Sequence, residues 1–303
     1  YSFKDRPVAI TTAKALEFDF KVLACVSTGN LMGSVAAHAA KAKMESYVFF
    51  PAGLEKGKII GSSIYGPTLI SVNGNYDDVN RLCSELADNV KWAFVNVNMR
   101  PYYAEGSKTL GYEVAEQLGW KAPDHCVVPG ASGELHTKIW KGLNEMSHLG
   151  LIDGVNTHMY AAQAQGNAPV VTAYDANTFN VRPVKPDTVA KSLAIGNPAD
   201  GYYALKTIEE SSGGAWAVSE DEIASGIREL AEKEGIFTEP AGGVVITALK
   251  RLAESGQIKP WETTVAFITG NGYKTQEVVA DSVKPLLIKP TMAAFEEAIS
   301  VRQ

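Results

Sequence analysis

The stretch KVLACVSTGN, Lys21 to Asn30, sets the pattern that the rest of the chain follows. An apolar run ends in a turn with a glycine, and the alanine-rich segment from Leu31 to Lys43 is typical of a helix. Apolar strands without strict alternation indicate a parallel sheet that is covered on both faces. The stretch therefore predicts an α/β protein in which turns follow the carboxyl ends of parallel strands.

The same pattern recurs along the chain. Further strand candidates are SYVFF (46–50), TLISV (68–72), WAFVNV (92–97), HCVV (125–128), HMYAAQA (158–164) and TVAFI (264–268). Apolar residues at helical spacing predict a helix from Asp77 to Val90, and a capping box at Ser219 and Glu222 predicts the start of another. Alternating strands and helices indicate a doubly wound architecture.

Composition limits the kind of partner. With 303 residues, of which 46% are hydrophobic, the chain is long enough for two lobes. A net charge of -6 without a long basic run indicates neither a nucleic-acid-binding surface nor a membrane-binding one. The distant cysteines Cys25, Cys83 and Cys126 are typical of reduced core thiols in a cytoplasmic protein, and no spacing suggests a metal site. A small-molecule enzyme is the expectation.

Three glycine-bearing turns follow predicted strands. STGN (27–30) offers backbone N–H groups at a helix start, where a carboxylate binds, although a plain strand-to-helix connection has the same pattern. GASGE (130–134) spaces two glycines around a serine, as in a nest that holds a phosphate, and it matches neither a Walker loop nor a dinucleotide motif. ITGNG (268–272) presents a threonine hydroxyl to which a ring nitrogen could bond.

These three turns point to one cofactor. All lie at carboxyl ends of predicted parallel strands, where open α/β sheets bind ligands. A carboxylate site, a phosphate site and a hydroxyl for a ring nitrogen together indicate pyridoxal phosphate with an amino-acid substrate. That cofactor requires a lysine able to form a Schiff base. Lys4, in SFKDR (2–6), is the candidate.

The series SFKDR, STGN, IGNP (195–198), EGIFTEPA (234–241) and ITGNG resembles the motifs of the threonine synthases, pyridoxal-phosphate enzymes of fold type II. The resemblance runs from Ser2 to about Lys274. It implies a tryptophan synthase β-like fold with two doubly wound, three-layer α/β/α lobes and the cofactor between them. Residues 20–105 would form the smaller, substrate-side lobe, and residues 1–19 and 106–303 the larger, cofactor-binding lobe. It also implies a homodimer, and we expect that the family's N-terminal region is missing from this sequence.

The resemblance assigns roles to individual residues. Lys4 would be the catalytic Schiff-base lysine, with Phe3 beside the ring, Asn30 at its phenolic oxygen and Thr269 at its pyridine nitrogen. The remaining cofactor ligands would be those of the phosphate turn, Gly130, Ala131, Ser132 and Gly133. The substrate carboxylate would lie at Ser27, Thr28 and Asn30.

The substrate phosphate has two candidate partners. Arg100 is the first candidate, because a guanidinium can form two parallel hydrogen bonds to a phosphate, and Lys58 is the second. It is equally consistent with the sequence that both are ordinary surface residues that bind no ligand. Two motifs depart from the family pattern. The phosphate turn often reads GNxGN, so Glu134 brings a carboxylate towards a phosphate unless it turns away, and Tyr103 stands where the family often has arginine.

The implied reaction converts O-phosphohomoserine and water to L-threonine and phosphate. SFKDR with STGN favours threonine synthase over serine or threonine dehydratases, which read SFKxRGA, and over cysteine synthases, which read TSGNTG. A dehydratase, a cysteate synthase and an inactive, truncated binding fragment remain the alternatives.

Overall fold

The computed structural model describes residues 1–280 and 285–300, in which strands and helices alternate. The strands are β1 (Val22–Val26), β2 (Glu45–Pro51), β3 (Thr68–Val72), β4 (Ala93–Phe94), β5 (His125–Pro129), β6 (His158–Ala164), β7 (Gly214–Val218) and β8 (Thr264–Ala266). The helices are α1 (Asp5–Glu17), α2 (Asn30–Ala42), α3 (Lys56–Ser63), α4 (Tyr76–Asn89), α5 (Arg100–Ser107), α6 (Thr109–Gln117), α7 (Glu134–His148), α8 (Pro169–Asp175), α9 (Gly201–Glu210), α10 (Glu220–Glu234), α11 (Pro240–Glu254) and α12 (Met292–Ser300).

The strands form two parallel sheets, as the apolar runs predict. Their orders are β3-β2-β1-β4 and β7-β6-β5-β8, and every pair in them is parallel. In β1 all five residues are buried, and alternate residues pack into different cores, Leu23 and Cys25 on one face and Ala24 and Val26 on the other. The prediction of an α/β fold with two parallel-sheet lobes is confirmed.

The first helix packs with the first sheet. Val8 and Ala15 of α1 belong to the same core as Leu23 of β1 and Met32 of α2. The predicted lobe boundaries stay a prediction. The packing of α1 differs from the expectation that residues 1–19 belong with the larger lobe, whereas Phe3 packs against the core of the second sheet. The reason for the difference is that α1 buries its apolar face against the neighbouring α2 and α5.

Three strands differ from the prediction, and one of them, TVAFI, is a strand only over Thr264–Ala266. WAFVNV pairs only over Ala93–Phe94, because the chain turns directly afterwards and Asn98 Oδ1 accepts a hydrogen bond from the Phe94 N–H at 2.9 Å. The edge strand GAWAV (214–218) was not among the predicted strands. Its glycine and two alanines have little preference for the strand conformation. The segment forms a strand because it pairs in parallel with β6.

The predicted helix starts agree with the structure. Asp78 and Asn75 form a capping box at α4, and Glu222 accepts a hydrogen bond from the Ser219 N–H at 3.2 Å at α10. The three cysteines are free and buried. Among the described residues, no helix is both long enough and apolar enough to span a membrane. The same residues contain no cluster of three or more side chains that could bind a metal ion.

Candidate active site

Lys4 stands immediately before α1, beside the segment that follows β8. The Phe3 N–H donates to the Thr269 carbonyl oxygen at 2.9 Å, which ties the start of the chain to this segment. The Lys4 amine lies 4.2 Å from the centroid of the Phe3 ring and donates a hydrogen bond to the Tyr103 hydroxyl. It lines a cavity of about 520 Å³ at the carboxyl ends of β1, β5 and β8.

The environment of Lys4 favours its neutral form. Burial lowers the pKa of the Lys4 amine from 10.5 to about 8, although the carboxyl groups of Glu134 and Glu239 act in the opposite direction. Desolvation disfavours the ammonium form. With this pKa about a tenth of the amine is free at pH 7, far more than for a lysine with the ordinary pKa, and this free amine can act as a nucleophile or a general base.

The STGN turn presents unused donors to the cavity. Gly29 has a φ of 129°, a backbone conformation that side chains rarely adopt. The Ser27 hydroxyl oxygen accepts a hydrogen bond from the Gly29 N–H at 2.9 Å and so holds the turn. The N–H groups of Thr28 and Asn30 donate to no acceptor in the part of the chain that the structure describes. With the start of α2 behind them, they can bind an anion.

The Asn30 side chain is held from two directions. Its Nδ2 donates to Glu239 Oε1 at 2.6 Å, and its Oδ1 accepts from Lys274 Nζ. The Lys274 amine also lies 3.6 Å from Glu239 Oε2, and Glu239 is only 1% exposed. The amide is therefore fixed in one orientation, with its second Nδ2 hydrogen left for another partner.

The GASG turn also leaves backbone donors free. No acceptor among residues 1–280 and 285–300 bonds the N–H groups of Ala131, Ser132 and Gly133. Gly133 has a φ of 87°, and a Cβ there would lie 2.7 Å from the Asp200 carbonyl oxygen. Three N–H groups before α7 form a concave donor site that suits a phosphate.

Most of the residues predicted from the sequence meet at this cavity. It is lined by Phe3, Lys4, Ser27, Thr28, Asn30, Arg100, Ala131, Ser132, Gly133 and Thr269. Gly130 and Lys58 are not among its lining residues: the Gly130 N–H bonds to β6, and Lys58 Nζ pairs with Glu55 at 3.0 Å. The Lys58 stem lies behind Gly29, where a Cβ would meet Lys58 Cδ at 2.1 Å.

Arg100 connects the two lobes. It begins α5, lines the cavity and donates a hydrogen bond to Asp200, just before α9. Its side chain is 38% exposed. Since a guanidinium has five N–H donors, the bond to Asp200 leaves others for a ligand in the cavity.

Four charged or polar residues of the site were not assigned cofactor or substrate roles from the sequence: Tyr103, Glu134, Glu239 and Lys274. Glu134 and Glu239 follow glycine or threonine in recognised motifs, and Lys274 comes two residues after ITGNG. Their closeness to these motifs in the sequence is the only feature that could have indicated a place in the site. Their contacts join residues far apart in the chain, such as Tyr103 with Lys4 and Lys274 with Asn30, and therefore depend on the fold.

Comparison with known proteins identifies the family. Residues 1–270 match the family described as pyridoxal-phosphate dependent enzyme. The threonine synthase of Methanosarcina acetivorans is 36% identical over 301 residues, which is 98% of this chain and 74% of that protein. The chain belongs to the threonine synthase family of pyridoxal-phosphate dependent enzymes. A threonine synthase from a Bacillus species is 35% identical over 282 residues, 93% of this chain and 77% of that protein.

Solved structures support the fold. A fungal L-serine ammonia-lyase from Rhizomucor miehei is 19% identical, with a TM-score of 0.75 and coverage of 89% of this chain and 84% of that one. A processed threonine deaminase isoform from Solanum lycopersicum is 20% identical, with a TM-score of 0.73 and coverage of 92% and 79%. The predictions of a fold type II enzyme, of pyridoxal phosphate as cofactor and of the threonine synthase family are confirmed.

The side chains and turns of this chain fit that cofactor. The GASG turn has unused N–H donors for a phosphate, and Asn30 has an unused hydrogen on a fixed amide. The Thr269 hydroxyl makes no hydrogen bond within the described part of the chain, so it is available to a ring nitrogen. Lys4 supplies the amine. Because this partner is a threonine hydroxyl and not a carboxylate, the group expected at the ring nitrogen is uncharged.

Proposed function

We propose that this chain converts O-phosphohomoserine and water to L-threonine and phosphate, as a carbon–oxygen lyase acting on phosphates. The observation that carries the proposal is the meeting of the Lys4 amine, the STGN turn and the GASG turn in one cavity. Identities of 33–36% to proteins named threonine synthase support this choice of reaction.

The proposed cofactor ligands are those that the sequence suggests. Lys4 would hold the aldehyde, and Phe3 would pack beside the ring. Asn30 would bond the phenolic oxygen, and Thr269 the ring nitrogen. The phosphate would bind to the GASG turn, residues 130–133. When bound, pyridoxal phosphate withdraws electrons from the α carbon of an attached amino acid.

Lys4 would carry the proton transfers. With a pKa of about 8, its amine can accept a proton near neutral pH and return it. We assign it the removal and return of protons at the α and β carbons of the substrate, which it can reach once the substrate amine has replaced it. The Tyr103 hydroxyl, which accepts from Lys4, would orient the amine between these positions. A neutral Thr269 would leave the ring nitrogen unprotonated, which suits elimination more than transamination.

The substrate would be held at its two anionic ends. Ser27, Thr28 and Asn30 of the STGN turn would bind the carboxylate. Arg100 would bind the phosphate through donors that its bond to Asp200 leaves free. Lys58 stays a second candidate, which would first have to leave its ion pair with Glu55.

The test is a direct assay of purified, cofactor-loaded chain. We expect O-phosphohomoserine to yield threonine and phosphate in equal amounts. The same preparation is given threonine and serine, and separately phosphoserine with sulfite. Formation of 2-oxo acids alone would assign a dehydratase, formation of cysteate would assign a cysteate synthase, and no turnover of any of these would contradict the proposal.

Two arginines test the phosphate subsite. Arg100→Ala should raise KM for O-phosphohomoserine about 10-fold or more, since a charged hydrogen bond contributes about 1.5–3 kcal/mol. Arg81→Ala is the matched control, because Arg81 lines the same cavity but is 72% exposed and pairs with Asp78 at 3.7 Å. An equal rise in KM for both substitutions would contradict a specific role of Arg100 in binding the substrate phosphate.

We also propose that the enzyme is a homodimer, as the family resemblance implies, and that it is cytoplasmic, as its free, buried cysteines indicate. Light scattering on the loaded enzyme would give a mass of twice 32.5 kDa for a dimer, and a monomer mass across micromolar concentrations would exclude it.

A further inference from the structure

Glu134 is a buried carboxyl group for which the proposed reaction gives no role. It begins α7 directly after the GASG turn, is 4% exposed, and lines the cavity with Lys4. Its Oε1 has no hydrogen-bond partner among the described residues, and neither has the nearby buried Ser107 hydroxyl. Buried polar atoms are usually bonded, so this carboxyl group calls for an explanation beyond packing.

Charged and titratable groups face Glu134 from several elements. Lys4 approaches from the start of α1, Tyr103 from α5 and Asp200 from the segment before α9, while Lys138 lies one turn along α7 itself. The Lys4 and Lys138 ammonium groups and the Ser107 hydroxyl favour the carboxylate form of Glu134, and Asp200 disfavours it. Burial is the largest effect, and it raises the pKa of Glu134 to about 7. Near neutral pH, both protonation states are within reach.

An anion in the GASG turn would shift this balance. The free N–H groups of Ala131, Ser132 and Gly133 precede Glu134 directly in the chain. A phosphate dianion bound there would repel the carboxylate form at short range, and like charges disfavour ionisation. The protonated acid would also gain a donor, and the Ser107 hydroxyl, which favours the carboxylate form by acting as a donor, can accept from the acid instead.

We propose that Glu134 takes up a proton when the cofactor's phosphate enters the GASG turn, so that the loaded enzyme holds a neutral carboxylic acid at this position. The inference rests on the proposed assignment of that turn to the phosphate. An O–H bond forms on Glu134, and the proton comes from solvent.

The uptake would also act on Lys4. The carboxylate of Glu134 stabilises the Lys4 ammonium, so its neutralisation favours the free amine that reacts with the aldehyde. Glu134 is therefore a positioning residue that couples phosphate binding to the reactive state of Lys4.

The experiment compares two ligands by calorimetry. Pyridoxal phosphate and pyridoxal are titrated into cofactor-free enzyme at pH 8 in two buffers of different ionisation enthalpy, which gives the protons taken up with each ligand. Both ligands react with the lysine, but only one brings a phosphate. We expect wild type to take up about one proton more with pyridoxal phosphate than with pyridoxal. In Glu134→Gln this difference should fall to about zero.

Two variants serve as controls. Glu134→Asp keeps a carboxyl group and should keep the proton difference. Asp77→Asn removes another carboxyl group that lines the cavity, at the start of α4, and should also keep it. A loss in Asp77→Asn equal to that in Glu134→Gln would overturn the assignment to Glu134.

The pH dependence gives a second readout. Because binding takes up a proton, the Kd of wild type for pyridoxal phosphate should rise up to about tenfold per pH unit above pH 7 relative to Glu134→Gln. Equal profiles in both proteins, with pyridoxal phosphate still bound more tightly than pyridoxal, would overturn this inference alone. Equal affinity for the two ligands would instead contradict the phosphate-binding role of the GASG turn, and the threonine assay tests the reaction independently of both.

Discussion

At the scale of single residues, the lowered pKa of Lys4 sets a pH dependence. Below pH 8 the ammonium form of this amine predominates, and above it the free amine does. The rate constant for covalent attachment of pyridoxal phosphate, measured by stopped-flow absorbance on the cofactor-free enzyme, should rise about tenfold per pH unit below pH 8 and level off above it. A rate constant that continues to rise up to pH 10 would mean that Lys4 titrates as an ordinary surface lysine.

Lys274 is predicted to position Asn30. Lys274→Met removes the donor to Asn30 Oδ1 and leaves Glu239 without its nearest cation. The Asn30 amide would lose one of the two hydrogen bonds that fix it, and a hydrogen bond to a charged group contributes about 1.5–3 kcal/mol, so the affinity for pyridoxal phosphate should fall about tenfold. The titration is followed by absorbance, and the cofactor band should shift because Asn30 is no longer fixed. Lys274→Arg, which keeps the charge, should restore part of the affinity.

Residue roles differ in how far the sequence predicts them. Lys4, Asn30 and Thr269 lie in motifs at strand or helix ends. The sequence places them around one ligand, and all three line the same cavity. Lys58 lies in a motif-free segment, and its direction is decided by packing behind the STGN turn. The contact of Lys274 with Asn30 joins residues far apart in the chain, which no local pattern can predict.

At the scale of elements, the turn before α7 depends on Gly133. In Gly133→Ala, a left-handed backbone costs about 1–2 kcal/mol, and the new Cβ would lie 2.7 Å from the Asp200 carbonyl oxygen. We expect a loss of about 3 kcal/mol in the free energy of unfolding by urea, and weaker binding of pyridoxal phosphate. Gly119→Ala is the control, since Gly119 also has a positive φ of 72° but no atom within 4 Å. Similar losses for both would show that the close approach to Asp200 is unimportant.

The elements themselves were predictable where composition is distinctive. Strands β1, β5 and β6 are apolar runs bounded by turns or charged residues, and capping residues mark the starts of α4 and α10. The edge strand β7 lacks such a signal, since two alanines and a glycine make up most of it. Its structure comes from hydrogen bonding to β6, a tertiary effect that overrides weak local preference.

At the scale of the whole molecule, the cavity draws on both sheets. STGN follows β1 of the first sheet, whereas GASG and Thr269 follow β5 and β8 of the second. A cofactor held at these points links the two lobes, and binding to the folded state alone stabilises it by about 2.7 kcal/mol at a ligand concentration 100 times Kd.

Hydrogen exchange tests this linkage. On adding pyridoxal phosphate, amides of β1 in the first sheet and of β5 in the second should become protected together, because opening of either lobe would break contacts to the shared ligand. Lys4→Ala is the control: it loses the covalent attachment, so the same cofactor concentration should protect both strands less. Protection confined to β5 would mean that the cofactor is held by the second lobe alone, and the STGN turn would then serve the substrate without contacting the cofactor.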